Sequence, residues 1–214
     1  KIGIGEDGRR IRLAASDTNR QGRDQGAAWM EEAGLQVVVD RIGNIFGIWE
    51  TPENKGETPM MVGSHIDTVI NAGQYDGCLG VLAGIELCQT LQEQGVRPKH
   101  PLVVGVFTNE EGVRYSPDMM GSLVYAGGLS CEEALASVGT DGTILGEELK
   151  RIGYGGTVEP GFLKPFAFLE LHIEQGPIMD VEGYDIGAVE NLQGIHWQQV
   201  TIKGAANHAG TTPT

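Results

Sequence analysis

Residues 101–108 read PLVVGVFT, a continuous apolar run that leads directly into Asn109, Glu110 and Glu111. Such a run predicts a strand that other elements cover on both faces. Polar residues that follow the strand then lie at its carboxyl end, where open α/β sheets bind their ligands. The run therefore predicts a layered α/β fold with two carboxylates at the binding edge of its sheet.

Two more apolar segments end in the same way. Residues 59–64 predict a strand that runs into His65, and residues 166–173 predict a strand that carries His172 near its end. The segment 79–94 has apolar residues on one side at helical spacing. Strands that alternate with helices indicate a central, mostly parallel sheet flanked by helices.

The other predicted elements are less directly tied to function. Asp17 is the expected N-cap of the first helix, and Gly34 is expected to end it. The predicted helices lie at 17–33, 130–136 and 145–152, and the predicted strands at 35–40, 44–49, 183–191 and 196–203.

Four motifs place candidate metal ligands at strand ends or at a helix start. In GSHID, His65 is a candidate ligand. Asp67 is the carboxylate expected to accept a hydrogen bond from the ring nitrogen of His65 that does not bind metal. Asp76, at the start of the segment that begins at Leu79, offers two oxygens that could bridge two cations. Alone, His65 and Asp67 are equally compatible with a surface or capping pair, and Asp76 alone is more typical of a cap or turn residue.

The other two motifs complete the set. TNEEG places Glu110 and Glu111 so that one carboxylate can bind metal while its neighbour transfers protons. LHIEQG offers His172, which completes a three-ligand set with His65 and Asp76. A second metal held by Asp76 and Glu111 would still lack one protein ligand. The joint occurrence of the motifs, rather than any one of them, predicts a dinuclear site.

Charge and cysteine content narrow the classes of partner. The chain has 29 acidic and 15 basic residues and a formal charge of −14, which disfavours nucleic acid and anionic lipid as partners. Cys78, Cys88 and Cys131 show no CxxC spacing, which favours a reducing, cytoplasmic location. No apolar run is long enough to cross a bilayer, so no membrane association is expected.

Taken in order, the motifs resemble one enzyme family over essentially the whole chain. It is the group of N-carbamoyl-L-amino-acid hydrolases, β-ureidopropionases and allantoate amidohydrolases, within the zinc aminoacylase and carboxypeptidase clan. The last two motifs below are more typical of the carbamoyl and ureido branch than of the clan's peptidases. The motifs are GSHIDT at Gly63, YDGCLGVLAG at Tyr75, TNEEGVRY at Thr108, ELHIEQGP at Glu170 and NHAGTTP at Asn207.

The resemblance implies roles for individual residues. It implies that Glu110 is the general base, that Gln175 contacts substrate, and that His208 reaches the active site of the partner subunit in a homodimer. It also implies two divalent metal ions per subunit, with zinc as the expected metal and manganese, cobalt or nickel as alternatives. The implied metal ligands, with Asp76 bridging, are His65, Asp76, Glu111 and His172.

The resemblance also implies a domain organisation and a reaction. Residues 1–190 would form most of a catalytic domain, and residues 191–214 the start of a smaller α+β lid and dimerisation domain. Family members are about twice as long, so the chain is expected to be a fragment. The expected reaction converts an N-carbamoyl-L-amino acid to the amino acid, carbon dioxide and ammonia.

Several alternatives remain open. An allantoate amidohydrolase would use the same ligands, whereas a peptidase is disfavoured by HIEQGP and NHAGTTP. A thiol hydrolase that uses Cys78 would survive chelation and would be stopped by alkylation. His208 is equally compatible with a loop histidine that has no role. The non-enzymatic alternative is a metal-binding scaffold that has lost catalysis.

Overall fold

The computed structural model describes residues 2–5, 7–196, 198, 200–208 and 210–212. It forms two compact units, Lys1–Ile173 and Glu174–Thr214. The strands of the first unit are β1 (Gln36–Val39), β2 (Ile45–Trp49), β3 (Met60–His65), β4 (Leu102–Phe107) and β5 (Ala167–Leu169). Its helices are α1 (Asp17–Glu32), α2 (Cys78–Glu93), α3 (Met120–Tyr125), α4 (Cys131–Leu135) and α5 (Leu145–Arg151). Within the described residues, the second unit contains helix α6 (Ile178–Glu182).

The five strands form one mixed sheet in the order β1-β2-β4-β3-β5. β3 pairs in parallel with both β4 and β5, whereas β2 pairs antiparallel with β1 and with β4. Four strands therefore run in one direction and β2 opposes them. This confirms the predicted α/β class with a mostly parallel sheet.

The predicted central strands and the long helix form because their apolar residues are buried together. All six residues of β4 are buried, and α2 packs against β3 and β4 through Val81, Ile85 and Cys88. Full burial of one such aliphatic side chain contributes about 1.5–3 kcal/mol, so this interface stabilises the edge at which β3 and β4 end. None of the described helices has the length and apolar character that crossing a bilayer requires.

Two local predictions for the first unit were wrong. The N-cap of α1 is Ser16 rather than Asp17, because the Ser16 hydroxyl accepts the N–H of Asn19. The strand predicted at 166–173 forms only over Ala167–Leu169, where it pairs with β3. Beyond that point the Ser64 hydroxyl donates to the Glu170 carboxylate, and the ladder does not continue.

The strands predicted at 183–191 and 196–203 were also wrong for every residue that the structure describes there, since Trp197 and Gln199 lie outside the described part. A strand needs a neighbour to satisfy its backbone groups, and among the described residues no strand lies beside these segments. Their apolar side chains, such as Ile186 and Leu192, are 81% and 93% exposed. Alternating apolar residues do not form a strand without that neighbour.

A buried polar network fixes the exit of β4. The Asp40 carboxylate accepts the backbone N–H and the side-chain amide of Asn44, and the side-chain Oδ1 of Asn44 accepts the N–H of Thr108 at 2.9 Å. The fully buried Arg23 donates to the Thr108 hydroxyl at 3.0 Å and to the Gly43 carbonyl. These contacts set the backbone just before the two glutamates.

Asp40 is expected to make the folded chain less stable as the pH rises from about 4 to about 6. Burial raises the pKa of this carboxyl from 3.8 to about 6, although the hydrogen bonds from Asn44 lower it. The unfolded chain therefore loses this proton first, and the free energy of unfolding falls by about 3 kcal/mol over that range. Urea titrations at several pH values check this. Asp40→Asn should lack this part of the pH dependence, and an unchanged slope in that variant would contradict the assignment.

Candidate metal centre

Four chain segments converge at one edge of the sheet. His65 is the last residue of β3, and Glu110 and Glu111 follow β4. Asp76 lies just before α2, and His172 follows β5. The convergence follows from the parallel register of β3 with β4 and β5, which brings the ends of these strands to the same edge.

One group of side chains centres on Asp76. Its Oδ1 lies 3.2 Å from Nε2 of His172 and 3.9 Å from Nε2 of His65. The two imidazole rings are stacked, with centroids 6.2 Å apart. One ligand atom from each of the three residues lies within 4.8 Å of the other two. Two imidazole nitrogens and a carboxylate are a donor set that suits zinc.

A second group shares His65 with the first. Oε2 of Glu110 lies 3.4 Å from Nε2 of His65, and Glu111 offers an oxygen within 4.8 Å of both. Asp76 and Glu111 fall in different groups. A second ion held between these two carboxylates therefore stays a prediction.

Asp67 contacts this site differently from the expectation. Nδ1 of His65 lies 3.0 Å from the backbone carbonyl of Asp67 and 3.8 Å from its carboxylate. The carboxylate instead accepts the backbone N–H groups of Glu110 and Glu111, each at 3.2 Å. A proton on Nδ1, donated to the carbonyl, leaves the Nε2 lone pair facing Asp76 and Glu110. Asp67 thus orients the imidazole and both glutamates.

The charges at the centre favour a bound cation. Burial lowers the pKa of His65, but the carboxylates of Asp67, Glu110 and Glu111 outweigh burial and raise it. Burial raises the pKa of Glu111 to about 7 and also raises that of Glu110, and neighbouring carboxylates add to both effects while His65 opposes them. Several carboxylates held this close repel one another, and a divalent ion would relieve that repulsion. The residues present therefore fit a metal.

Sequence reasoning missed Asn109, which shapes the turn that carries the two glutamates. Asn109 is buried and has a φ of 53°, a conformation that asparagine tolerates better than most residues. Its amide donates to the carbonyls of Tyr115 and Pro117 at 2.9 and 3.1 Å, which closes the loop after β4. An asparagine directly before the glutamates was the available signal.

Comparison with known proteins identifies the family of the chain. Residues 61–212 match Peptidase family M20/M25/M40. The chain belongs to this family. It is 42% identical to an N-carbamoyl-L-amino-acid amidohydrolase of Rhizobium meliloti, over 100% of this chain and 51% of that protein. It is 38% identical to an allantoate deiminase of Arabidopsis thaliana, over 86% of this chain and 36% of that protein.

A solved structure gives the same result for the fold. The crystal structure of an amidase of the hydantoinase/carbamoylase family from Burkholderia multivorans superposes with a TM-score of 0.82 at 42% identity, over 85% of this chain and 44% of that one. The family resemblance read from the motifs is therefore confirmed. The chain spans about half the length of the curated relatives it matches, 51% for the Rhizobium meliloti protein.

Gly77 gives this M20/M25/M40 chain a close contact beside the first ligand. Gly77 has a φ of 62°, and a Cβ there would lie 2.5 Å from the carbonyl oxygen of His65 and 2.6 Å from its ring. Gly77→Ala is expected to displace the imidazole and to weaken metal binding by at least about tenfold, as measured by competition with a chelator. Gly73→Ala is the matched control, since a Cβ there meets nothing within 4 Å. Equal metal affinity in both variants would contradict the role of this contact.

The two predicted substrate residues of this M20/M25/M40 chain belong to the second unit. Gln175 has a φ of 56°. Nδ1 of His208 accepts the N–H of Gly210 at 3.1 Å, and its carbonyl accepts that of Thr212. The substrate-binding roles of Gln175 and His208 stay predictions.

Proposed function

We propose that the protein is a metal-dependent amidohydrolase that cleaves N-carbamoyl-L-amino acids to amino acid, carbon dioxide and ammonia. The observation that carries the proposal is the convergence of His65, Asp76 and His172, with Glu110 at 3.4 Å from the His65 ring. The identity of 42% to an N-carbamoyl-L-amino-acid amidohydrolase supports this choice of substrate class.

Four side chains are proposed to hold two divalent ions, with Asp76 shared between them. The other three are His65, Glu111 and His172. A divalent ion, once bound, supplies Lewis acidity that lowers the pKa of water and polarises a carbonyl group. Zinc suits the imidazole and carboxylate donors, with manganese, cobalt or nickel as alternatives.

Glu110 is proposed to transfer the proton. Its side chain is 35% exposed, so it faces the site while remaining open to substrate, and burial raises its pKa, which makes the carboxylate a better proton acceptor. It accepts a proton from the attacking water and returns it to the nitrogen that leaves. Asp67 holds the backbone of Glu110 in place during both steps.

The remaining roles lie in the second unit. Gln175 is proposed to contact substrate, and His208 to stabilise the developing oxyanion in the active site of the partner subunit. This requires a homodimer. Residues 1–190 are proposed to form most of the catalytic domain, and residues 191–214 the start of a lid and dimerisation domain. A cytoplasmic location is also proposed.

A substrate panel tests the proposal. The full-length protein is assayed with N-carbamoyl-L-amino acids, allantoate and dipeptides, each with and without chelator and readded zinc or manganese. Chelator-sensitive release of amino acid from the N-carbamoyl substrates is expected. The 38% identity to an allantoate deiminase makes allantoate the second candidate. Metal binding without turnover of any substrate would favour the scaffold, and turnover that survives chelation but not alkylation would favour a thiol enzyme.

A further inference from the structure

A cavity of about 180 Å³ lies in the first unit. It opens between α1, the start of α2 and the segment that precedes α1. The residues assigned to the metal centre do not line it. Its lining includes Arg10, Arg12, Gln25, Trp29, Cys78 and Leu82.

The charged groups of this cavity are both cationic. Arg12 is 4% exposed, and its guanidinium donates to the carbonyls of Ile66 and Ile2 and to the Cys78 thiol. Arg10 also lines the cavity. Within the described part of the chain, neither arginine forms an ion pair, and the groups to which the Arg12 guanidinium donates carry no formal negative charge.

This absence is informative because the chain is acidic, with 29 carboxylate residues and 15 lysines and arginines. Another buried arginine, Arg114, is paired with the carboxylates of Asp141 and Glu148 at 2.9 and 2.8 Å. Burial of a cation is costly without an opposite charge. A bound anion would supply that charge at Arg12, and arginine binds carboxylates through two parallel hydrogen bonds.

The apolar residues of the lining indicate the chemical character of the uncharged part of the ligand. Trp29 and Leu82 are 41% and 45% exposed, and Ile66 and Val81 complete an apolar wall. A bare inorganic anion would leave this wall in contact with water, whereas an aliphatic chain would cover it. A cavity of about 180 Å³ suits a small molecule.

We infer that this cavity is a second ligand site, which binds a small monocarboxylate with an aliphatic body. Arg10 and Arg12 bind the carboxylate, and Trp29 and Leu82 pack against the aliphatic chain. The Cys78 thiol, which lines the same space, reports occupancy.

Protection of Cys78 from alkylation tests the site in the full-length, metal-loaded protein. Iodoacetamide labelling of this cysteine is followed by peptide mass spectrometry, with the buried Cys88 and Cys131 as internal references. At a 4-methylpentanoate concentration about ten times the Kd, labelling should slow about tenfold. The neutral 4-methylpentanamide should give no protection, because it lacks the charge that the arginines bind.

A variant that fills the cavity tests whether the ligand binds in this cavity or elsewhere on the protein. A Cβ at Gly26 meets nothing within 4 Å, so Gly26→Leu should place its side chain in the cavity without moving the backbone. Gly26→Leu should abolish protection by 4-methylpentanoate, and Gly26→Ala should keep it. Circular dichroism and metal content should be the same in both variants.

Three outcomes would overturn the inference. Protection that survives in Gly26→Leu would place the ligand elsewhere. Equal protection by the amide would remove the role of Arg10 and Arg12. Equal protection by inorganic phosphate at the same concentration would show that the apolar wall contributes nothing, and the assigned ligand class would be wrong.

Discussion

Glu110→Gln is expected to lower turnover of the N-carbamoyl substrate by about 10³-fold while metal content stays unchanged. The amide cannot accept a proton, and general acid–base catalysis contributes about 10²–10⁴-fold. The glutamine keeps the size of the side chain and the backbone N–H that the Asp67 carboxylate accepts at 3.2 Å. Steady-state kinetics and metal analysis on the same preparation check both parts of this expectation.

Glu111→Gln is the matched comparison, since it makes the same chemical change at the adjacent residue. It should lose metal as well as activity, because Glu111 is assigned as a ligand. Loss of metal in Glu110→Gln, with metal retained in Glu111→Gln, would reverse the assignment of the two glutamates.

Asp76→Asn is expected to weaken metal binding by at least about 100-fold and to abolish turnover. The Oδ1 atom of Asp76 lies 3.2 Å from Nε2 of His172 and 3.9 Å from Nε2 of His65, so this carboxylate lies close to both imidazole rings. If Asp76 is shared between two ions, both should be lost together. Titration of the metal-free protein, with metal quantified after dialysis, measures this.

Asp185→Asn controls for the loss of a negative charge alone, since Asp185 is exposed and lies in the second unit. It should bind metal as the unchanged protein does. Loss of only one ion in Asp76→Asn would show that this carboxylate does not bridge. Normal binding of both would remove Asp76 from the centre.

The part of the fold that the sequence predicts well is the part determined by continuous burial. The run at 101–108 forms β4 because both of its faces are covered, and the run before His65 forms β3 for the same reason. The ends of these strands are therefore predictable, and so is the placement of Glu110 near His65.

The remaining features depend on partners that lie far away in the chain. The segments at 183–191 and 196–203 have a strand-like pattern but no neighbouring strand among the described residues, so they form none. Asp67 was expected to contact His65 through its carboxylate, but that carboxylate accepts hydrogen bonds from backbone groups more than 40 residues away, at separations of 43 and 44. Local sequence does not contain this information.

The cavity lined by Arg10 and Arg12 is a further feature that depends on residues far apart in the sequence. It combines residues of several separate segments, from Ile2 to Leu82, and no single motif indicates it. Its cationic lining becomes visible only when the neighbours of Arg12 are known.

Anomalous diffraction from crystals of the full-length protein grown with zinc or manganese tests the central claim most directly. Two peaks are expected about 3.5–4 Å apart, with Asp76 between them. His65, Glu111 and His172 should each lie about 2.0–2.2 Å from a peak. Peaks that lie away from these four residues, or an Asp76 carboxylate that contacts no ion, would contradict the account.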